Sequence, residues 1–461
     1  MRTDKSTKHK TGFRFLLTAC FSIIVMTAGA QGPVQLNLKE ALNYALKSNA
    51  EARKARLDVE NSEYQIDEVR SRALPQVTGN ASLTNNPLLQ KSALPNIFGP
   101  NPNPDETILV SFGQKWNAVA GISLSQNLFD KSVLTGLDAA RATRAFYRLS
   151  AQLTEEQVIE EVATAYYQVL VQRQQVRVLD STIKNTQKVQ SVLQGQFNAG
   201  LARKIDVDRV AVSLSNLSSQ RQQLLNGVTL LENQLKFFIG MPIQTPVIIP
   251  DAELDAIQPR AVANEPVHMD DRTEIRLLKQ QGSLLGYQKE AYKSEYYPSL
   301  SLSGNYNFQG TGNAMPIFKG QEQGANWFGA ASVSLNLRVP IFNGFATRAR
   351  IRQAEVRERK LNEDIVNTEL ALNLAYENAK TQINNSIITL NAQKKNVQLA
   401  NEVYLNTQNN YNQGLASLTD LLNAETSLTE ANNNYSSALL NYRLAEIQLV
   451  KSRGELKTLL N

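Results

Sequence analysis

One distinctive stretch occurs twice in this chain of 461 residues, with the two copies 214 residues apart. "FNAGLARKIDVDRVA" begins at Phe197 and "YNQGLASLTDLLNAE" begins at Tyr411. Both copies contain an aromatic-Asn-x-Gly-Leu-Ala core and an acid six residues after the glycine, Asp206 and Asp420. We call residues 197–211 the first tip and residues 411–425 the second tip. Any fold for this chain has to place both tips between long helical patterns.

The duplication extends well beyond the tips. Residues 49–77 align without a gap on residues 272–300, and Pro75 and Pro298 end a helical pattern in each copy. Each half is predicted to contain a helix, a strand, a loop, a strand, a very long helix, a tip and a long helix. The predicted domains are a signal peptide over residues 1–30, a first repeat over 31–240, a connecting segment over 241–271 and a second repeat over 272–461.

The first 30 residues have the pattern of a secretory signal peptide. A basic start leads into an apolar run over residues 15–26, and Ala28-Gly29-Ala30 is a small-x-small cleavage site. Residues 17–20 offer an alternative, because Leu-Thr-Ala-Cys resembles a lipobox in which Cys20 would be lipidated. We favour cleavage after Ala30, since the apolar run continues past Cys20. No other apolar stretch approaches the ~18–20 residues of a transmembrane helix.

The composition argues against an enzyme and against a nucleic-acid-binding protein. The formal net charge is +6, of which +4 lies in residues 1–30, so the remainder carries only +2. Removal of the signal would leave no cysteine and a single histidine, His268. Disulfides and thiolate metal sites are thereby excluded. We predict no catalytic residue, no metal site and no cofactor.

The long helices carry a seven-residue repeat. Its positions are Val162, Val169, Val176, Ile183, Gln190 and Phe197 in the first half, and Tyr376, Ile383, Leu390, Val397, Tyr404 and Tyr411 in the second. A strict heptad predicts left-handed coiled-coil packing. The companion positions are mostly polar, which favours helices packed side by side in a hollow cylinder. A helix over residues 140–199 would extend ~90 Å at ~1.5 Å per residue.

The tips have the pattern of a helix end followed by a new helix. Gly200 and Gly414 can take a positive φ, which ends one helix and lets the chain turn back. Asp206 and Asp420 then lie near the start of the returning helix, where a carboxylate suits the exposed N–H groups.

Four short segments alternate between apolar and polar residues with the period of a strand: residues 77–84, 117–125, 300–308 and 332–339. A half-buried sheet in a soluble domain is one interpretation. We favour membrane strands, because each segment has about the ~9–11 residues required and long polar loops, residues 85–115 and 309–326, join the pairs. Aromatic residues also lie where an interfacial girdle is expected: Trp116 and Trp327 at the start of strands, and Phe129 and Phe342 after them. Four strands cannot close a membrane barrel, since the smallest have about eight, so the chain must oligomerise.

These features together resemble the TolC-type outer membrane efflux proteins, also called outer membrane factors, over residues 36–458. The motifs are the duplicated tip, the Leu-Pro and Tyr-Pro entries to the odd strands, "VPIFNGF" at 339–345, and Leu449-x4-Gly454. The resemblance implies a mainly α fold with a membrane β-barrel: a homotrimer with a twelve-stranded barrel and a tunnel of long antiparallel helices extending into the periplasm.

The resemblance also implies a function. Such a channel passively conducts small molecules, such as drugs and toxic compounds, from an inner-membrane pump and a periplasmic adaptor to the exterior. The helical tips contact the adaptor, which makes Gly200, Leu201, Gly414 and Leu415 the expected contact residues.

In the family, aspartates and polar contacts near the second tip pinch the tunnel shut. Asp420 matches the first aspartate, whereas Asn423 stands in place of the second and Ala416 in place of a basic residue. The first tip is instead rich in charge, so we hypothesise that closure relies partly on ion pairs between Arg203 or its neighbours and Asp420. The alternative is that these charges are solvated or contact the adaptor. The gate candidates are Asp420, Asp206, Arg203 and Asn423.

Other functions remain open at this point. Within the channel class, the alternative is the outer membrane duct of a type I protein secretion system. A secreted trimeric coiled-coil stalk would explain the heptads but not the four alternating strands. A periplasmic enzyme would lack any clustered acid site.

Overall fold

The structure is a computed structural model that describes residues 34–97, 102–250, 268–317 and 321–460. The predicted signal peptide, its cleavage site at Ala30 and the alternative site at Cys20 lie outside the described residues. Residues 251–267 of the predicted connecting segment also lie outside them. A search of the described helices finds none with the length and apolar character needed to span a membrane.

The elements follow the predicted order in each half. The first half contains β1 (Val34–Gln35), α1 (Leu38–Ser48), α2 (Ala50–Ser71), β2 (Gln76–Asn85), β3 (Lys91–Asn96), β4 (Asn103–Ser111), β5 (Trp116–Phe129), α3 (Lys131–Asn198) and α4 (Lys204–Ile239). After β6 (Val247–Ile248), the second half contains α5 (Thr273–Ser294), β7 (Ser299–Gly312), β8 (Ala325–Arg338), α6 (Ala346–Asn412) and α7 (Leu418–Arg453). Short 3₁₀ turns occupy Met269–Asp271, Gln321–Gln323 and Leu456–Leu460.

Helix lengths repeat closely between the halves. Helices α3 and α6 have 68 and 67 residues, and no proline interrupts either. Helices α4 and α7 have 36 residues each and end at Gly240 and Gly454, whose φ angles are 71° and 77°. A left-handed glycine ends both helices because it adopts this conformation without a steric penalty.

The chain divides into two compact units, and both long helices pass from one to the other. Among the described residues, one unit comprises residues 34–53, 154–250 and 373–460, and we call it the helical unit. The other comprises residues 54–97, 102–153, 268–317 and 321–372, and we call it the sheet unit. The core of the helical unit takes buried side chains from α1, α3, α4, α6 and α7. Tyr166 is fully buried there and donates its hydroxyl to the carbonyl oxygen of Leu36 at 3.2 Å.

The heptad prediction is confirmed for α6. Tyr376, Ile383, Leu390 and Tyr404 are all buried, and Tyr411 is half-buried. These side chains therefore form one continuous seam along the helix.

In α3 the prediction is right for only the first part of the seam. Val162, Val169 and Val176 are buried, but Phe197 at the predicted end of the seam is 38% exposed. The buried positions move three residues along, to a second heptad column formed by Leu179, Thr186 and Leu193. A straight helix drifts ~20° per heptad against a 3.5-residue period, so a long helix turns a neighbouring column toward its partners.

The sheet unit contains one antiparallel four-stranded sheet in the order β2-β5-β7-β8. Its register brings the predicted apolar faces of all four strands together, with these pairs among others: Val77 with Leu124, Ile122 with Tyr306, and Leu302 with Leu335. The alternation predicted from the sequence is therefore confirmed. Strands β2 and β8 are the two edges, and neither edge is paired within the described part of the chain.

Polar side chains form a ladder across the opposite face of this sheet. The hydroxyls of Thr78 and Ser123 lie 2.6 Å apart. Asn336 donates to Ser303 at 3.0 Å, and Ser332 donates to Asn305. Each contact joins neighbouring strands, so the polar face is held together without charged residues.

Two features of the sheet unit differ from the sequence prediction. Strands β5, β7 and β8 have 14 residues each, longer than the segments predicted. The predicted loop over residues 85–115 contains an antiparallel hairpin of β3 and β4. Gly310 lies in the part of β7 that extends beyond the predicted end at residue 308. A Cβ at Gly310 would lie 2.5 Å from the ring of Trp327, so the glycine leaves room for this ring in the longer strand.

Candidate functional site: the two helical tips

Both tips turn through the same backbone geometry. Gly200 and Gly414 have the same φ of 76°. In each tip the N–H of the residue after the glycine donates to the carbonyl five residues back, at 2.8 Å, which is the Schellman pattern. A Cβ on either glycine would meet no atom within 4 Å. The glycines are therefore required for the conformation of the backbone and not for space.

The second tip begins its returning helix with a capping box. The N–H of Asp420 donates to the hydroxyl of Ser417 at 3.1 Å, and the N–H of Ser417 donates back to the carboxylate at 3.0 Å. The Ser417 hydroxyl also donates to this carboxylate at 2.6 Å. These hydrogen bonds from the Ser417 side chain and backbone lower the pKa of the Asp420 carboxyl. Asp420 thus caps its own helix, as the sequence predicted.

The first tip begins its returning helix with an ion pair. Arg203 is the N-cap residue and makes no side-chain capping bond. Its Nε lies 3.0 Å from Oδ2 of Asp206, and a guanidinium nitrogen of Arg209 lies 3.8 Å from Oδ1. The Asp206 side chain is only 14% exposed. The two acids at matching positions therefore have different partners.

The hypothesised ion pair between the first tip and Asp420 is not formed within the described part of the chain. Arg203 pairs with Asp206, and the partner of Asp420 is Ser417. A hydrogen bond of 3.1 Å from the guanidinium of Arg209 to the hydroxyl of Thr419 joins the two tips.

Apolar side chains also join the two tips. Leu193 of α3, Val210 of α4 and Leu418 of α7 are buried against one another. Tyr411 packs against this cluster, and its pKa is raised by burial and by the negative charge of Asp206. The end of α6 therefore lies close to the acid of the first tip.

The ends of the tips are exposed. Leu201 is 81% exposed and Leu415 is 74% exposed, each directly after its turn glycine. Asn423 is exposed one turn after Asp420 on α7, so both occupy one face of the helix. Arg209 belongs to the charged first tip noted in the sequence, whereas Ser417 and Thr419 were not predicted as site residues. Of these, Ser417 could have been found, because Ser-x-x-Asp before an apolar run is a capping-box pattern.

The sheet unit places the predicted girdle aromatics at two ends of its sheet. Trp116 pairs with Gly312 and Trp327 with Gly310, at one end, and Phe129 pairs with Leu300 at the other. Trp327 stacks on Phe308 with ring centroids 4.9 Å apart. Phe342, after β8, is 75% exposed and meets Phe345 edge to face. Trp116 and Trp327 thus lie at one end of the sheet, and Phe129 lies at the other.

Across the residues that the structure describes, no three His, Cys, Asp or Glu side chains are grouped to hold an ion.

Comparison with known proteins gives consistent matches along the chain. The model of a family described as "Outer membrane efflux protein" matches residues 41–240 and 272–455. Outer membrane protein TolC of Escherichia coli is 23% identical over 430 residues, covering 91% of this chain and 82% of TolC. The alkaline protease secretion protein AprF of Pseudomonas aeruginosa is 23% identical over 338 residues, covering 72% of this chain and 68% of AprF. Among solved structures, the open-state MtrE outer membrane channel of Neisseria gonorrhoeae has a TM-score of 0.67 and 18% identity, covering 91% of this chain and 89% of MtrE.

Proposed function

Because the chain belongs to the outer membrane efflux protein family, we propose that it forms the exit duct of a tripartite efflux system. Family membership makes it an outer membrane channel protein and not an enzyme. The proposed substrates are small molecules, such as drugs and toxic compounds, which pass through without being chemically changed. The match of one family across both repeats is the observation that carries this proposal.

We propose that the functional form is a homotrimer. The four-stranded sheet ends in the edges β2 and β8, and open edges are not tolerated in lipid. Three copies supply twelve strands and join every edge to a neighbour, which is enough to close a membrane barrel. The apolar face would then contact lipid between girdles of Trp116 and Trp327 at one end and Phe129 and Phe342 at the other. The polar ladder would line an aqueous pore.

The tips are the proposed contact with a periplasmic adaptor protein, through which an inner-membrane pump acts. Gly200 and Gly414 hold the two turns, and each turn presents an exposed leucine, Leu201 or Leu415. An exposed apolar residue on a rigid turn is suited to fill a pocket on a partner. Replacing both leucines by aspartate is expected to abolish export but to leave trimer assembly unchanged.

The gate is proposed to lie at the same end of the helical unit. Asp420 and Asn423 occupy one exposed face of α7, and Arg203 and Asp206 lie on the first tip. Since Asp420 meets no cation among the described residues of its own chain, the ion pair to it is proposed to come from the first tip of another copy. Exposed pairs contribute only ~0–1 kcal/mol each, which suits a contact that has to open.

The gate is tested with Asp420→Ala and Arg203→Ala in planar lipid bilayers. Both variants are expected to increase conductance, and Asp420→Ala is also expected to weaken the preference for cations. Asp208→Ala, which removes an exposed acid of the first tip outside the candidate set, is the matched control. Unchanged conductance and cation preference in both variants would rule these residues out of the gate.

The function itself is tested on protein extracted from outer membranes. A heat-modifiable trimer that conducts ions in bilayers and appears as a threefold hollow particle in electron micrographs is the expected result. A solid rod without conductance would favour the coiled-coil stalk instead.

The similarity to AprF supports a second candidate, the outer membrane duct of a type I protein secretion system. Deleting the chain distinguishes the two. Loss of a secreted protein from the medium would identify a secretion duct, whereas increased sensitivity to drugs without loss of a secreted protein would identify efflux.

A further inference from the structure

A carboxyl group is buried in the helical unit at the last residue of the second tip. Glu425 is 6% exposed and lies on α7 between α3, α4 and α6. One of its oxygens, Oε2, lies 2.9 Å from the hydroxyl of Thr186 on α3. The other, Oε1, is buried and has no hydrogen-bond partner among the residues that the structure describes. Glu425 makes no ion pair in the described part of the chain, although an ionised carboxylate buried without a cation is costly.

Each threonine hydroxyl around Glu425 is shared between two hydrogen-bond contacts. Each threonine hydroxyl lies within hydrogen-bond distance of the carbonyl four residues before it: Thr182 to Val178 at 3.2 Å, Thr186 to Thr182 at 3.0 Å, and Thr429 to Glu425 at 2.9 Å. A hydroxyl has one proton to donate. If Thr186 keeps its bond to the Thr182 carbonyl, its contact with the Glu425 side chain has a proton only when the carboxyl is protonated.

A neutral Glu425 supplies that proton. Its O–H donates to the Thr186 hydroxyl, which keeps its own bond to the Thr182 carbonyl, and every proton in this chain of contacts is then used. The remaining contact between the helices, 2.8 Å between the Thr182 and Thr429 hydroxyls, needs no charge. The hydrogen-bond pattern is thus better satisfied by the acid than by the carboxylate.

The groups that face Glu425 do not neutralise it by pairing. A cavity of about 750 Å³ beside it is lined by Arg177 and Lys188 of α3 and by Tyr404 of α6. A second cavity is lined by the carboxylate of Glu430 on α7 and, from α4, by the uncharged residues Ser213, Leu217 and Gln220. Burial raises the pKa of Glu425, and a Thr186 hydroxyl that donated to the carboxylate would oppose this rise only in part. Burial and the charge of Glu425 also raise the pKa of Tyr404.

We propose that Glu425 is a proton-binding site that holds α7 on α3 in the closed second tip, and that loss of its proton opens this contact. The proposal rests on the channel function proposed above. Glu425 follows the gate candidate Asp420 by five residues, so movement of α7 at this point moves the gate face. The matching position in the first repeat is the exposed Ala211, so the first tip has no acid at this place.

The direction of the pH effect follows from linkage. With α7 packed on α3, as in this structure, the pKa of Glu425 is raised, whereas in an open, hydrated state it returns toward the ordinary value of about 4.3. The proton stabilises the closed state fully below the open-state pKa, and this stabilisation is lost as the pH rises through the closed-state pKa. The open-to-closed ratio is therefore expected to rise about tenfold per pH unit between the two pKa values.

Two measurements on the intact trimer test the proposal. Infrared difference spectra across a pH titration detect the carbonyl stretch of a protonated carboxylic acid, and conductance in bilayers reports opening over the same pH range. Glu425→Gln keeps the shape and can donate an N–H to Thr186, so it is expected to remain closed, to lose the acid band and to lose the pH dependence. Glu430→Gln, five residues along the same helix, is the matched control and is expected to behave like the parent protein.

The results separate the proposal from the channel function. A band and a pH-dependent opening that both vanish in Glu425→Gln support it. An acid band that persists in Glu425→Gln, or an unchanged pH dependence of its opening, would overturn it. Absence of conductance in every variant at every pH would instead contradict the channel function, while the infrared band would still report whether Glu425 holds a proton.

Thr186→Val, which removes the acceptor, is expected to shift the opening to lower pH, and Thr186→Ser is expected to leave it unchanged.

Discussion

The first and second tips turn through the same backbone geometry but begin their returning helices by different means. Both have a glycine with a φ of 76°, and both place an acid at the third helical position. In the second tip that acid completes a capping box with Ser417, whereas in the first tip it pairs with Arg203. The difference shows that the turn and the helix start are separable, since the same turn supports either start.

The largest expected effect comes from replacing the turn glycine that both tips share. Gly200→Ala and Gly414→Ala each force a left-handed conformation on a residue with a Cβ, which costs about 1–2 kcal/mol. The two losses in the free energy of unfolding are expected to be equal, because the φ angles match and neither Cβ would meet a neighbour. Chemical denaturation of the trimer in detergent measures both.

Gly195→Ala is the matched control for the turn glycines. Gly195 lies in α3 five residues before Gly200, without a positive φ and with open space around its Cβ position. Alanine there is expected to stabilise the helix by roughly 0.5–1 kcal/mol. A loss of stability at Gly195, or clearly unequal losses at the two turns, would contradict the shared geometry.

The next effect belongs to the second tip alone. Ser417→Ala removes the cap of α7 and is expected to cost about 1 kcal/mol, whereas Ser417→Thr keeps an accepting hydroxyl and is expected to cost less. Denaturation at neutral pH compares the two variants. A cost for Ser417→Ala no larger than that for Ser417→Thr would mean that the capping box contributes nothing to stability.

The capping box also predicts a response to acid. The lowered pKa of Asp420 contributes stability that is present above the unfolded value of about 3.9 and is lost as the pH falls through the folded value. Ser417→Ala removes the side-chain hydrogen bond, which is the largest cause of the lowered pKa, and keeps the backbone one, so the difference in stability between variant and parent is expected to narrow as the pH falls toward the folded-state value. A constant difference across an acid titration would show that Asp420 is not the responsible group.

The turns and the strand faces could be predicted from the sequence because local chemistry decides both. A glycine between two helical patterns has few alternatives, and strict alternation fixes which residues share a face of a sheet. The distinction between the two acids was also present in the sequence, three residues upstream in Ser417 and Arg203.

Tertiary contacts decided what the sequence could not predict. The buried stripe of α3 moves to the column of Leu179, Thr186 and Leu193 because the helix meets different partners toward the tip. Glu425 was missed for a related reason. A charged residue in a mostly polar heptad indicates solvent, and only the packing of three other helices around it reveals a buried acid.

A smaller effect concerns the ion pair of the first tip. Arg203→Ala is expected to cost no more than ~1 kcal/mol, because Arg203 is largely exposed and such pairs are screened. The cost is expected to disappear near 1 M salt, where the screening length is about 3 Å. Denaturation at low and high salt measures this, with Arg209→Ala as the weaker comparison at 3.8 Å. A cost that is independent of salt would mean that Arg203 acts through packing.

The smallest expected effect comes from giving the returning helix of the first tip the same start as that of the second. Arg203→Ser would place a capping serine three residues before Asp206, which reproduces the arrangement of the second tip. A new cap contributes about 0.5–1 kcal/mol and the lost ion pair costs ~0–1 kcal/mol, so the net gain is expected to be a few tenths of a kcal/mol. The sharper signal is the salt dependence, which is expected to weaken because a neutral hydroxyl replaces the nearer guanidinium and only Arg209 remains beside Asp206. The double variant Arg203→Ser with Asp206→Asn separates the two contributions, since it keeps the serine but removes the carboxylate that closes the box.

If Arg203→Ser destabilises the protein as much as Arg203→Ala, the first tip does not accept the start used by the second. The two helix starts would then depend on the packing around each tip and not on the capping residue alone.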